Sequence, residues 1–486
     1  MRLIRFGAAG WRARYDDGFD DEGVARVADA LGQLWADQQP GATVLVGYDA
    51  RFRATHFAEL AAAVIASYGL RVKVSDGPCP TPVLGWSAAQ DETCAGALML
   101  TASGSSCEYG GMLVRGADGG TVPEPFREAL DRTIPVRATS NRGSFDRVDL
   151  VTGYLDHIEQ DLDVDALRAA HLRVVVDAMH GAALTMVGPL MNRLGCEATL
   201  LHTEPSVDFG GLHPVPDEPW ADACERAVVH EGACCGIICD GDADRATLVD
   251  ERGRLVSKHD LVTLLIRHLV CGRGERGRVV VTTATSMRTQ RQAEALGCPV
   301  TVVPVGFGRV YDEILEGDVL VATEEYGGIC VPRHLKERDG IYACVLGLEM
   351  IARLGRPLSV LVDAQKEALG DLSYIERTVR LDGAALQRLA ILLPGMNPSS
   401  FAGMAPVAVN HADGMGLTFA DGSWVQVRVA RTEPVARIYA EAPTHLTCAN
   451  LVNAALSLAR SPSPAAGTCG GDVETRILAP RGRGGE

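Results

Sequence analysis

Along most of the chain, short apolar β-rich runs alternate with longer alanine- and leucine-rich stretches of helical period. This predicts α/β layers with buried strands. Thr43 to Asp49 (TVLVGYD) is one such strand, followed by the helical HFAELAAAVIASYG and then by the strand LRVKVSD. Leu172 to Asp177 (LRVVVD) is another, followed by a helix through Leu194. Three apolar runs end in polar or glycine-rich loops: Leu98 to Leu100 into TASGSS, Gly236 to Cys239 into DGDADR, and Val319 to Ala322 into TEEYGG. Ligands of open α/β sheets bind beyond the carboxyl ends of strands. Three such loops in successive segments therefore predict three similar units facing one cleft.

The pattern breaks between Pro135 and Asp149, a polar stretch without period, and again near Glu251 and Glu367. We divide the chain into an α/β domain at 1–140 with the serine loop, a second at 141–250 with the acidic loop, and a third at 251–366 with the TEEYGG loop. A C-terminal domain at 367–460 and a disordered tail at 461–486 follow. The tail begins SPSPAAGTCGG and closes RGRGGE, a low-complexity composition.

With 486 residues the chain is long enough for several cores. Acidic residues number 62 and basic residues 46, a formal net charge of −16 with no basic stripe, which argues against nucleic-acid or membrane-surface partners. Gly7 and Gly10 interrupt the N-terminal apolar run, and no 18-residue apolar stretch follows, so we expect neither a signal peptide nor a membrane span, and a cytoplasmic protein. The 14 cysteines form no CxxC pair and read as reduced, mostly buried thiols. A metal cluster at Cys234, Cys235 and Cys239 is disfavoured because that run reads as a buried strand.

Candidate chemistry lies in the loops. Asp240, Asp242 and Asp244 alternate at the end of a predicted buried strand, and clustered carboxylates repel one another unless a cation sits among them. Hard oxygen donors suit Mg²⁺. Arg245 would neutralise excess charge or hold this loop. Ser103, in Thr101-Ala102-Ser103, could serve as a nucleophile or phosphoryl carrier. The segment Arg428 to Arg437 places arginines and Thr432 around a turn suited to an anion. An acidic surface turn, a serine-rich turn and a solvated charged loop are the respective bland alternatives.

Together these segments resemble the α-D-phosphohexomutase superfamily, most closely its bacterial phosphomannomutase/phosphoglucomutase branch. The matching pieces run in order from Phe6 to Ala442: FGAAGWRA, VGYDARF, PCPTPVL, TASGSSCEYGGMLVRG, DAMHGA, DFGGLHPVP, DGDADR, PVGF, EEYGG, ERDGI and ARTEPVARIYAEA. The resemblance implies four domains around a central cleft, three similar mixed α/β sandwich domains and a smaller α+β C-terminal domain. It implies a Mg²⁺-dependent mutase moving phosphate between the 1 and 6 positions of mannose or glucose phosphate, with hexose 1,6-bisphosphate as activator. Ser103 then resembles the phosphoserine, and Asp240, Asp242 and Asp244 the residues that hold Mg²⁺ against it. Arg12 resembles the basic residue near the reacting phosphate and Glu324 the sugar-hydroxyl ligand. Arg428, Thr432 and Arg437 resemble the loop that grips the other phosphate.

The departures cluster in the ligand loops. The His, Asn and Pro that follow the serine in the family pattern are absent, and Cys107 stands in this loop. Leu113 occupies the place of the family's lysine, the expected general acid/base, whose loss typically costs about 10²- to 10⁴-fold. Arg115, two residues on, is a poor base but could neutralise phosphate charge. Ala8 and Ala9 replace a polar pair, Tyr326 replaces a serine beside the sugar, and Ala430-Arg431 replace Ser-Gly, with Arg431 adding a positive charge. Three readings follow: a hexomutase; altered or phosphatase-like phosphoryl transfer on a specialised phosphosugar, in which Leu113→Lys would restore activity; and a non-catalytic phosphosugar-binding protein.

Overall fold

The computed structural model describes residues 4–7, 10–430 and 434–460, which form two compact units. One runs up to Tyr374 and includes Glu441–His445; the other holds Ile375–Ala440 and the residues from Leu446 on. The expected tail at 461–486 lies outside the described residues.

The first unit contains three sheets. The first sheet has the strand order Trp11–Arg14, Tyr109–Gly116, Cys94–Leu100, Thr43–Tyr48, Arg71–Ser75, Asp146–Val148. Thr43–Tyr48 pairs in parallel with both Arg71–Ser75 and Cys94–Leu100. All six of its residues are buried, as the continuous apolar run requires of a strand covered on both faces. Tyr109–Gly116 turns back antiparallel on Cys94–Leu100, so the serine loop sits at the carboxyl end of the buried strand. Asp146–Val148, which the sequence presents as part of an aperiodic connection, adds an edge strand parallel to Arg71–Ser75. Two exposed residues and one half-buried valine at an edge carry no apolar alternation that could announce them.

The second sheet is ordered Ala246–Asp250, Cys235–Cys239, Arg173–Asp177, Glu197–Leu201, and the third Val300–Val303, Arg278–Thr282, Val319–Thr323, Ile329–Cys330. Each has parallel central strands and one antiparallel edge. Helices open on side-chain caps where the sequence supplies them. Asp20 accepts from the Gly23 N–H and Asp339 from the Tyr342 N–H. One apolar core runs from Leu45 through Val176, Ile237 and Val279 to Val362, joining the three sheets. The second unit is built on an antiparallel sheet in which Met415–Phe419 pairs with Pro406–Asn410 and Trp424–Val429. Among the described residues all cysteines are free thiols, and no helix is long and apolar enough to cross a membrane.

A polar network crosses the first unit. Arg273 reaches Glu349 Oε2 at 2.6 Å and Asp161 Oδ2 at 3.2 Å, and Arg333 and Tyr342 also donate to Asp161. Burial pushes the Asp161 carboxyl up, but hydrogen bonds from Arg333 and Tyr342 and the charges of Arg333 and Arg273 outweigh it and bring it down to about 2. A folded-state value below the ordinary 3.8 gives stability that is complete above the unfolded value and lost as the pH falls through the folded one. Urea melts at pH 6, 4 and 2 should show roughly 2 kcal/mol lost over the acid step through this carboxylate, and Asp161→Asn should remove that increment.

Candidate active site

Ser103 follows the buried strand Cys94–Leu100 and adopts a left-handed backbone, φ +50°, uncommon for a residue with a side chain. It is held there by its surroundings. Its N–H donates to Thr101 Oγ1 at 2.8 Å, and the Thr101 hydroxyl donates to Asp49 Oδ2 at 2.7 Å. Arg51, buried, forms an ion pair with Asp49 at 3.0 Å and donates to the carbonyls of Ser103, Ser105, Ser106 and Tyr109. A single guanidinium thus folds the whole serine loop around itself. Burial pushes the Asp49 carboxyl up to about 6, against the opposing pull of Arg51 and the Thr101 hydroxyl.

The side chain of Ser103 points to the acidic loop. Its hydroxyl donates to Asp240 Oδ2 at 3.1 Å and accepts from Arg245 Nη2 at 2.7 Å. The two loops are in close contact, for a Cβ on Gly241 would stand 2.5 Å from the Ser103 carbonyl oxygen. Gly104 has its own constraint: a Cβ there would meet Val215 Cγ1 at 2.6 Å, so the histidine of the family pattern has no room beside this valine.

Asp240, Asp242 and Asp244 are all buried and bring one carboxylate oxygen each to within 4.8 Å of the others. Ala243 between them has φ +58°. Thr81 Oγ1 donates to Asp242 Oδ2 at 2.6 Å, and Asp242 Oδ1 is buried without a hydrogen-bond partner among the described residues. Burial pushes Asp240 up to about 8; Asp242 and Asp244 push the same way, while Arg245 opposes. Asp242 is raised by burial and by Asp244, against Thr81 and Arg245. Asp244 moves down, because Arg338, Arg245, Arg115 and Arg12 outweigh its burial. Three buried carboxylates, one with an oxygen that lacks a hydrogen-bond partner among the described residues, fit a hard divalent cation such as Mg²⁺.

Arg338 connects this loop to the third sheet. Its Nη2 lies 2.7 Å from Asp244 Oδ2 and its Nη1 2.6 Å from Glu324 Oε1. Glu324 opens the turn after Val319–Thr323, where Tyr326 is half-buried with the Lys258 ammonium 5.4 Å from its ring centre. Arg12, on the first edge strand, is exposed and donates from Nη1 to Ser105 Oγ at 3.1 Å. It lines a cavity of about 960 Å³ that neither Ser103 nor the three aspartates line.

Ser103, the aspartates and Arg245 are therefore one cluster, with Glu324 joined to it through Arg338 and Arg12 joined to the serine loop. Arg428 and Arg437 belong to the second unit, where Arg428 Nε donates to Asp413 Oδ2 at 2.7 Å and Arg437 lies on the strand Val435–Ala442. Arg431 and Thr432, and Ala8 and Ala9, lie outside the described residues. Asp49, Arg51, Thr81 and Arg338 were not singled out from the sequence, although each lies within a matching segment: VGYDARF, PCPTPVL and ERDGI.

Leu113 is buried in the apolar core that also contains Met99 and Leu84. Introducing Leu113→Lys would place an ammonium there, so in place of restored activity we expect a loss of about 3 kcal/mol or more in urea unfolding, with no gain in turnover.

Residues 3–139, 152–253 and 257–368 match, in turn, alpha/beta/alpha domains I, II and III of phosphoglucomutase/phosphomannomutase. The chain is 28% identical over 445 residues to the phosphoglucomutase/phosphomannomutase of Thermococcus kodakarensis, covering 90% of this chain and 94% of that one. It is 28% identical over 462 residues to the phosphoglucosamine mutase of Moorella thermoacetica, covering 92% and 97%. Among solved structures, one described as a phosphomannomutase from Thermus thermophilus superposes with a TM-score of 0.83 at 30% identity, covering 94% of this chain and 99% of that one. Three domain matches in order and near-complete coverage place the chain in the phosphoglucomutase/phosphomannomutase family of the α-D-phosphohexomutase superfamily, whose named members are intramolecular phosphotransferases.

Proposed function

We propose that this protein is a divalent-cation-dependent hexose-phosphate mutase that carries the phosphoryl group on Ser103. The observation that supports it most is the placement of Ser103 Oγ between the Arg245 guanidinium and the Asp240 carboxylate, at 2.7 and 3.1 Å. A phosphoryl group on Oγ would meet the arginine directly, and bound Mg²⁺ would offset its charge beside the aspartates. In the forward half-reaction the Oγ–P bond breaks as a bond forms from phosphorus to a sugar hydroxyl, giving a hexose 1,6-bisphosphate. The proton of that sugar hydroxyl ends on Oγ, and in the return the phosphoryl at the other position moves to Oγ while the Oγ proton passes to the sugar oxygen that phosphorus leaves. The proton given up by one sugar hydroxyl is matched over the cycle by one regained at the other.

Glu324, held by Arg338, orients a sugar hydroxyl, and Tyr326 shapes the pocket beside it. By the resemblance, Arg12 is assigned to the reacting phosphate, and Arg428, Arg431, Thr432 and Arg437 are assigned to the other one. The proposed partner is a small phosphosugar and the proposed location the cytoplasm; the net charge of −16 argues against a nucleic-acid partner. The proposed substrates are mannose and glucose phosphates, and glucosamine phosphate belongs in the test because relatives are named for it. Phosphorus NMR with Mg²⁺, a trace of hexose 1,6-bisphosphate and each hexose 1-phosphate should show a 6-phosphate signal. Leu113 supports a second reading, one-way transfer, in which inorganic phosphate accumulates instead. Unchanged spectra for all three sugars would reject both.

A further inference from the structure

The strand Tyr109–Gly116 leaves the serine loop with its side chains alternating between two apolar packings. Met112 and Val114 enter one core cluster and Leu113 the other. Arg115 follows Leu113 on that second face by the two-residue period of a strand. It is 2% exposed, an unusual place for a guanidinium, since an unpaired buried charge costs several kcal/mol. Its Nε and Nη2 have no hydrogen-bond partner among the described residues; Nη2 instead faces Glu337 Oε2 at 3.3 Å, an oxygen that likewise lacks one. The arginine thus stands opposite Glu337 as a close ion pair and is kept for its charge.

Glu337 passes this constraint on. Its other oxygen, Oε1, accepts from the Arg338 backbone N–H at 2.9 Å and from Arg338 Nε at 3.1 Å. With Nε anchored, the two terminal nitrogens of Arg338 fork to Glu324 and Asp244. A guanidinium is planar, so three acceptors at three nitrogens fix both its position and its plane. Without Arg115, Glu337 would be left one cation short and would swing toward the terminal nitrogens of Arg338, drawing the fork away from Glu324.

We propose that Arg115 is a positioning residue for phosphoryl transfer, acting through Glu337 to set the plane in which Arg338 ties the aspartate loop to the Glu324 loop. The proposal rests on the mutase reading above. It gives the strand of the serine loop a part in aligning the sugar loop, two residues beyond the position where the family pattern has its lysine.

The test uses the full chain and three single variants, Arg115→Met, Arg115→Lys and Glu337→Gln, with the Arg115→Met/Glu337→Gln double variant. With hexose 1-phosphate as substrate, Arg115→Met and Glu337→Gln should each lower kcat roughly 10- to 100-fold with KM little changed, and Arg115→Lys should recover most of the loss. The double variant should be no slower than the slower single one, because both act through one path. Hydrogen exchange read by mass spectrometry should rise in Arg115→Met only over residues 324–328 and 336–340. Exchange that rises throughout the chain, or not at all in those segments, would overturn the proposal, as would additive rate losses or a change confined to KM. If the wild-type protein isomerises no hexose phosphate, the mutase reading fails, while the exchange pattern still decides whether Arg115 holds the fork. Should Arg115→Met not fold, Arg115→Lys and Glu337→Gln carry the same comparison.

Discussion

Ser103→Ala should reduce hexose-phosphate isomerisation by at least about 10⁴-fold, to the level of the uncatalysed sample, because alanine has no oxygen to accept the phosphoryl group. The substitution leaves the rest of the site in place. The left-handed backbone at Ser103 is set by Thr101, Asp49 and Arg51, all of which act through main-chain atoms of the loop or through one another. What is lost is the pair of hydrogen bonds to Asp240 and Arg245, worth about 1 kcal/mol each in such a setting, and Arg245 keeps its ion pair to Asp240 Oδ2 at 2.7 Å. The variant should therefore melt within a few degrees of the wild type and still bind hexose phosphate. A variant that isomerised at a tenth of the wild-type rate would show that Ser103 is only a neighbour of the reacting groups.

The second large effect concerns Asp242. Asp242→Asn should lower turnover roughly 10²- to 10³-fold, the consequence of losing several kcal/mol of charge stabilisation at the cation site. Its effect on stability should run the other way when no divalent ion is present. Asp242 is buried, raised by its own burial and by Asp244, and keeps an oxygen without a hydrogen-bond partner among the described residues. Removing this charge relieves repulsion in the cluster, so the variant in chelator should unfold at a urea concentration equal to or above that of the wild type. With excess Mg²⁺ the order should reverse, since only the wild type gains stability by binding the ion to its folded state. Differential scanning calorimetry of both proteins, with and without Mg²⁺, checks this. A uniform loss of stability in Asp242→Asn would mean that the aspartate holds the loop and not a cation.

The parts of the site that could be read in the sequence are those carried by one short segment. The apolar run Cys235–Cys239 followed by alternating carboxylates announces a buried strand that delivers acids to its end, and the structure shows all three together. Ser103 after Cys94–Leu100 is legible for the same reason. What the sequence conceals is how segments meet. Thr81 and Asp242 are 161 positions apart, Arg51 lies 52 positions from Ser103, and no local period links Arg338 to Asp244. Leu113 shows the opposite difficulty. Its departure from the family pattern is visible in the sequence, yet only the structure shows that its side chain is buried among apolar neighbours and that Arg115 is committed to Glu337. For Arg428 the sequence suggests a phosphate ligand, whereas the structure adds its partner, Asp413.

The claim on which the account depends is that Ser103 carries the phosphoryl group during turnover. The most direct measurement is to incubate the full chain with Mg²⁺ and hexose 1,6-bisphosphate carrying ¹⁸O in its phosphoryl groups, quench, and locate the label by peptide mass spectrometry before and after a chase with unlabelled hexose monophosphate. Label is expected on Ser103, leaving during the chase and reappearing in hexose phosphate. Isomerisation that proceeds with Ser103 unlabelled, or label that stays on the protein through the chase, would contradict it.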